Sequence, residues 1–136
     1  MERIVVGFDG SEHAQKALSR AADIANGATL AVVAAAGPSS LRVRDMGLNP
    51  EDPVDAEARK QALAQAREYL EGRGVNAVYI EGHGNPADVI VQEAQESGAD
   101  LIVVGTRGLN AAQRVVLGSV STNVVHHASC DVLVVR

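Results

Sequence analysis

Five short apolar runs, separated by segments of helical periodicity, constrain the fold of this chain more than any other feature. They are rich in Val, Ile and Leu and span residues 3–8, 29–36, 76–81, 101–105 and 131–135. Their apolar content is nearly continuous rather than alternating, as expected of strands that are covered on both faces. Strands that alternate with helices predict an α/β fold of three layers, with helices on both sides of a five-stranded parallel sheet.

Four helix starts carry residues that favour helix initiation. Ser11 is a good N-cap before the first helical pattern. Asp52-Pro53 and Asn85-Pro86 each place a capping residue before a proline of the first turn. The fourth pattern starts at Gly118-Ser119 and ends at His126-His127, whose charge or dipole suits a helix C-terminus.

Length, charge and composition narrow the class of protein. The 136 residues, 46% of them hydrophobic, predict a single domain over residues 1–136, able to bury roughly two-thirds of its unfolded surface. A net charge of −5 and the scarcity of aromatic residues argue against nucleic acid as a partner. No stretch approaches the ~20 apolar residues that span a bilayer, so no membrane partner is expected. The absence of a signal-peptide pattern and the single cysteine, Cys130, predict a cytoplasmic location.

A glycine element follows the fourth apolar run. It reads Gly105-Thr106-Arg107-Gly108, then nine residues, then Gly118-Ser119. Glycines directly after a strand allow a sharp turn and a close approach of backbone to ligand. A glycine and a hydroxyl residue at a helix start leave unpaired N–H groups and partial positive charge, which favour phosphate. The spacing therefore predicts a site for the phosphates of a nucleotide.

A second polar group follows the first strand, where the chain reads Gly7-Phe8-Asp9-Gly10-Ser11. In open α/β sheets, ligands bind beyond the carboxyl ends of the strands, where the strand order reverses. If the first and fourth strands meet there, the Asp9 carboxylate can hold ribose hydroxyls. Asp9 could equally be a turn residue, and the glycines could be plain turn and helix-start residues. The joint spacing favours the ligand site.

These residues resemble the universal stress protein family over the whole chain. The resemblance rests on the opening segment 4–11, on Gly84-Asn85-Pro86, on segments 100–105 and 130–135, and on the glycine element. That element is the feature by which the ATP-binding branch of the family is distinguished. The resemblance implies a Rossmann-like fold with strand order 3-2-1-4-5. It also implies a homodimer that pairs the fifth strands edge to edge, here from Val132 to Val135.

The resemblance further implies an ATP site with specific residues. Gly7 and Asp9 would lie against adenine and ribose, with the Asp9 carboxylate on the sugar. Ala34, near the end of the second strand, would offer backbone contacts to the adenine. Gly105 would lie beneath the ribose.

On the phosphate side, the resemblance implies that Arg107 and Gly108 line the path of the phosphates. Gly118 and Ser119 would bind them through backbone N–H groups and a hydroxyl. Whether Mg²⁺ accompanies the nucleotide is left open.

The segment between the glycines departs from the ATP-binding pattern. Residues 109–117 contain one basic residue, Arg114, whereas many ATP-binding relatives carry a lysine there. ADP, AMP and cyclic AMP therefore stay open as ligands.

The sequence offers no assignable catalytic residue. Phosphoryl transfer needs a basic clamp, metal ligands and a group that positions the nucleophile, and the chain lacks a Walker A motif. No cluster has metal-ligand spacing. The resemblance implies an ATP-binding stress-response regulatory protein that acts on an unknown protein partner, and the lack of a catalytic base predicts slow or no hydrolysis.

Three alternative functions share parts of this pattern. A slow ATPase or adenylyl-transferring enzyme and a nucleotide-free dimeric scaffold both stay open. A two-component receiver domain is set aside, because Glu81-Gly82 and Arg136 stand where it needs a phosphorylatable Asp and a Lys. The irregular segment 37–52 is functional or disordered, with neither favoured.

Overall fold

The computed structural model of the chain describes residues 1–35, 53–106 and 117–136. These ranges contain five strands and four helices. In chain order they are β1 (Arg3–Gly7), α1 (Glu12–Ile24), β2 (Thr29–Ala34), α2 (Pro53–Gly72), β3 (Ala77–Glu81), α3 (Pro86–Ser97), β4 (Leu101–Gly105), α4 (Ser119–His127) and β5 (Asp131–Val135).

The strands form one parallel sheet in the order β3-β2-β1-β4-β5. Val5 in β1, for example, lies beside Ala31 of β2 and Ile102 of β4. The chain moves outward from β1 through β2 to β3 and then crosses back to β4. This order confirms the predicted fold, and it places the reversal of strand order between β1 and β4.

Helices cover both faces of the sheet, which gives the predicted three layers. Ile4 and Val6 of β1 belong to a core cluster with buried residues of α1 and α2, such as Leu18 and Leu70. Val5, between them, belongs to a second cluster with residues of α3 and α4. Successive side chains of a strand point to opposite faces, so the continuous apolar runs reflect burial on both sides.

Two of the predicted helix starts, at Ser11 and Asn85, have the predicted capping hydrogen bonds. The Ser11 Oγ accepts a hydrogen bond from the Ala14 N–H at 3.1 Å. The Asn85 Oδ1 accepts from the N–H groups of Ala87 and Asp88 at 3.0 and 3.3 Å. Helix α2 begins at Pro53 as predicted, whereas its predicted cap, Asp52, lies outside the described residues, as does the segment 37–52.

The Asp100 carboxylate stabilises the edge of the sheet at which the strands begin. The Asp100 Oδ2 accepts from the Glu2 N–H at 2.7 Å and from the Arg3 N–H at 3.1 Å. These bonds, that from Glu2 first, lower the pKa of the Asp100 carboxyl group. The start of β1 is thus attached to the residue before β4.

No helix in the three described ranges has the length and apolar character needed to cross a bilayer.

Candidate functional site

Asp9 lies at the carboxyl end of β1, in a turn that its own side chain stabilises. Its Oδ1 accepts from the Ser11 N–H at 2.9 Å, and Gly10 between them has a φ of +83°, which favours glycine. The turn role considered for Asp9 is therefore real. A carboxylate has two oxygens and about four acceptor sites, so the turn orients Asp9 and leaves it capacity to bind hydroxyl groups.

Gly105 lies where α1 packs against the end of β4. A Cβ built on Gly105 would lie 2.7 Å from the backbone carbon and oxygen of His13 in the first turn of α1. Backbone atoms cannot move aside as a side-chain tip can. The packing of α1 on β4 therefore requires a glycine here, independently of any ligand.

Gly7 and Ala34 also have packing roles. A Cβ on Gly7 would lie 2.7 Å from the Ile90 Cδ1 and 3.3 Å from the Val104 Cγ1. Ala34 is 1% exposed, and its carbonyl accepts from the Gly82 N–H at 2.9 Å. That carbonyl keeps one lone pair for a further donor.

Thr106 joins β4, β5, α1 and α4 at this edge, although it was not among the predicted site residues. Its N–H donates to the Val135 carbonyl at 2.9 Å, and its Oγ1 lies 3.1 Å from the His13 Nδ1. Its carbonyl accepts from the Gly118 N–H and from the Ser121 Oγ. Buried and fully engaged, Thr106 holds the start of α4 against the end of β4.

The start of α4 carries the predicted phosphate-binding residues Gly118 and Ser119. The Gly118 N–H donates to the Thr106 carbonyl, and the phosphate-binding role of Gly118 stays a prediction. The N–H groups of Ser119 and Val120, in the first turn, have no acceptor among the described residues, and Ser119 is exposed. Gly118 is extended, with φ −78° and ψ 174°, a conformation open to any residue.

Of the eight predicted site residues, Gly7, Asp9, Gly105, Gly118 and Ser119 lie together at the carboxyl ends of β1 and β4. Ala34 lies at the end of β2, next to β1. Arg107 and Gly108 lie outside the described residues, as does Arg114. Within the described part of the chain, no group of three or more His, Cys, Asp or Glu side chains could hold a metal ion.

Two features of the sequence could have identified Thr106 and its hydrogen-bond partner Ser121, neither of which was among the predicted site residues. Thr106 lies inside the glycine element, and Ser121 follows Gly118 by three residues, a spacing that allows contact in a first helical turn. The approach of His13 to Thr106, over 93 residues of chain, has no local signal.

The strand order and the polar residues at the carboxyl ends of β1 and β4 define a doubly wound α/β protein. Proteins of this class bind ligands where the strand order reverses. The family model of the universal stress protein family matches residues 1–136, and the chain belongs to that family. The predicted resemblance is thus confirmed.

Relatives with this fold are known in sequence and in structure. A Staphylococcus aureus (strain USA300) protein assigned as a universal stress protein is 38% identical over 142 residues, covering 99% of this chain and 84% of the relative. A solved universal stress protein in complex with cAMP is 31% identical, with a TM-score of 0.75, covering 99% of this chain and 97% of that one. One from Archaeoglobus fulgidus in complex with dAMP is 26% identical, with a TM-score of 0.73, covering 100% and 98%.

Proposed function

We propose that this chain, as one domain over residues 1–136, binds an adenine nucleotide in the crevice between the carboxyl ends of β1 and β4. In this proposal, ATP is the ligand, and the protein acts as a cytoplasmic, homodimeric regulator of a stress response. The eight residues Gly7, Asp9, Ala34, Gly105, Arg107, Gly108, Gly118 and Ser119 form the site.

One observation carries this proposal: Thr106 anchors the start of α4 beside the strand that neighbours β1. Adjacent strands are about 4.8 Å apart. The Asp9 carboxylate and the first turn of α4 are therefore close enough for one nucleotide to reach both. The N–H groups of Ser119 and Val120, together with the helix dipole, suit a phosphate, and Asp9 suits ribose hydroxyls.

The relatives support an adenine nucleotide, since two of them were solved with cAMP and with dAMP. Each of these ligands has a single phosphate. In ATP, the further phosphates would need cations from the segment 107–116, which contains Arg107 and Arg114 but no lysine. A monophosphate receptor is therefore the second candidate function, and comparison of the four nucleotides decides between the two.

We propose binding with slow or no hydrolysis. Asp9 already serves the turn at Ser11 and is assigned to the ribose, which leaves it poorly placed as a base for water. Magnesium, if it accompanies ATP, would be held mainly by the phosphates themselves. Steady-state phosphate release that depends on Mg²⁺ and is lost in Gly118→Val would establish the slow ATPase instead.

The homodimer is proposed to form through β5, which lies at an edge of the sheet. The Val135 carbonyl accepts from Thr106 and so points toward β4. Because neighbouring residues of a strand direct their backbone groups to opposite sides, those of Val134 point outward. Pairing with a second β5 would satisfy them and protect the edge.

The test is calorimetric titration of ATP, ADP, AMP and cyclic AMP, with Mg²⁺, into wild type and Gly118→Val. The extended backbone at Gly118 accepts valine, so the variant should fold, while its side chain blocks the start of α4. We expect a micromolar Kd for wild type and a loss of roughly tenfold or more in the variant. Gly72→Val is the matched control, because a Cβ on Gly72 meets nothing within 4 Å. Absence of binding to wild type would leave the scaffold function.

A further inference from the structure

A buried arginine lies outside the proposed nucleotide site. Arg59 extends the stripe of Ala62, Ala66 and Leu70, the buried residues through which α2 packs against the sheet. It is 3% exposed. Arginine is almost never fully buried unless its charge is paired.

The position of Arg59 along α2 places it at the carboxyl edge of the sheet. Helix α2 ends near the start of β3, where the Val75 N–H donates to the Leu70 carbonyl at 3.1 Å. Arg59 precedes Leu70 by eleven residues, about 16 Å along the helix, which takes it to the opposite end of the strands. Its Nη2 lies 3.5 Å from the Nδ1 of His83, which follows β3 at that edge.

Two of the three guanidinium nitrogens of Arg59 find no acceptor among the residues whose side chains the structure describes. Neither the Nε nor the Nη1 has a hydrogen-bond partner within residues 1–35, 56–106 and 117–136. The ion pairs in these ranges join Arg67 to Glu71 and Arg73 to Asp23, not Arg59 to an acid. A guanidinium stays charged in a protein, and an unpaired buried charge is costly.

We propose that Arg59 anchors a second site at the carboxyl ends of β2 and β3, which binds a small oxyanion, a phosphate or carboxylate group. Oxyanions accept charge-assisted hydrogen bonds from the donors that Arg59 leaves unused. The site is separate from the nucleotide phosphates, because β2 and β3 lie two and three strand positions from β4, about 10 and 14 Å away. It does not depend on the nucleotide proposal.

Thermal unfolding in dilute Tris chloride, with added phosphate, acetate or chloride at matched ionic strength, tests this site. We expect phosphate or acetate to raise the Tm of wild type above the chloride value by roughly 2–5 °C, through ligand linkage. In the Gly118→Val background, which removes any response of the start of α4 to phosphate, Arg59→Met should abolish this rise. In chloride, Arg59→Met alone should be at least as stable as wild type, because Met keeps an apolar stem and removes the unpaired charge.

Two further variants locate the response. Arg20→Met, which removes an exposed arginine of α1, should keep the response of wild type. Gly118→Val should also keep it, because that substitution alters only the start of α4. A response to phosphate alone assigns the site to phosphate groups, and a response to acetate alone assigns it to carboxylates.

Three results would overturn the proposal. The first is a wild-type protein that responds no more to phosphate or acetate than to chloride. The second is a response that persists when Arg59→Met is combined with Gly118→Val, or that disappears in Gly118→Val alone. The third is an Arg59→Met variant that is strongly destabilised or unfolded in chloride, because the chain itself would then supply the missing acceptors.

Discussion

Substitution of Gly105 tests whether this position must be glycine for the packing of α1 on β4 or only for the binding of a ligand. In Gly105→Ala, the new Cβ would lie 2.7 Å from the backbone carbon and oxygen of His13 and 2.9 Å from its Cβ. Real Cβ atoms essentially never approach so closely, so α1 must shift away from β4. Overpacking of this kind costs about 1–3 kcal/mol, and a clash with backbone belongs at the upper end.

The expected loss of stability can be converted to a temperature. With an unfolding entropy of about 2.1 cal/mol/K per residue, a chain of 136 residues loses about 3.5 °C of Tm per kcal/mol. Gly105→Ala should therefore lower the Tm of the nucleotide-free protein by about 7–10 °C. Calorimetry or circular dichroism of the apo protein measures this shift.

Two other glycines provide graded controls. In Gly7→Ala the 2.7 Å contact is with the Cδ1 of Ile90, the movable end of a side chain, so we expect a smaller loss of about 2–5 °C. Gly72→Ala should lose nothing, because its Cβ meets no atom within 4 Å and alanine favours the helix. If Gly105→Ala left apo stability unchanged and weakened only nucleotide binding, the packing explanation would be refuted.

Three further predictions concern the edges and caps of the fold. The pKa of Asp100 is lowered by the N–H groups of Glu2 and Arg3, so its stabilising effect is complete above its ordinary pKa and disappears as pH falls through the folded value. The Tm difference between wild type and Asp100→Asn should thus be constant near neutrality and vanish in strong acid; a difference that grows on acidification would contradict this. Asn85→Ala should cost about 1 kcal/mol in urea unfolding, because it removes the cap of α3, and an unchanged midpoint would show that the cap is dispensable. Val134→Pro should convert a dimer to a monomer in analytical ultracentrifugation, since proline removes the outward N–H, whereas Val134→Ala should stay dimeric; two dimers would exclude this edge as the interface.

The helix starts were predicted correctly because they depend largely on neighbouring residues in the sequence. Ser11 and Asn85-Pro86 specify helix starts through neighbouring residues, and α1 begins directly after Ser11 and α3 directly after Asn85. Strand ends were less accurate. The second and third runs were one or two residues too long, because pairing between strands decides where the ladder stops. Phe8, included in the first run, lies just beyond β1 although its N–H still bonds to Val33.

The site was predictable in outline but not in its hydrogen bonding. The rule that ligands bind where the strand order reverses suggested that the ends of β1 and β4 meet, and these strands are neighbours in the sheet. The glycine element placed the start of α4 near the end of β4, where Gly118 bonds to Thr106. It could not indicate that Thr106 takes up the Gly118 N–H, or that His13 packs against Gly105, since both contacts depend on the packing of distant segments. The binding roles of the eight residues stay predictions. Likewise, the sequence analysis did not identify Arg59, whose burial depends on how α2 packs against the sheet.

The most direct measurement of the central claim is an amide NMR titration of the isotope-labelled protein with AMP and with ATP. The account predicts that the largest shifts occur at the amides of Ser119 and Val120, with further shifts around Asp9. The engaged amide of Gly118 should move less than its two successors. Two results would contradict a nucleotide phosphate at the start of α4. One is chemical-shift changes confined to other parts of the chain, and the other is no change at nucleotide concentrations far above the expected micromolar Kd.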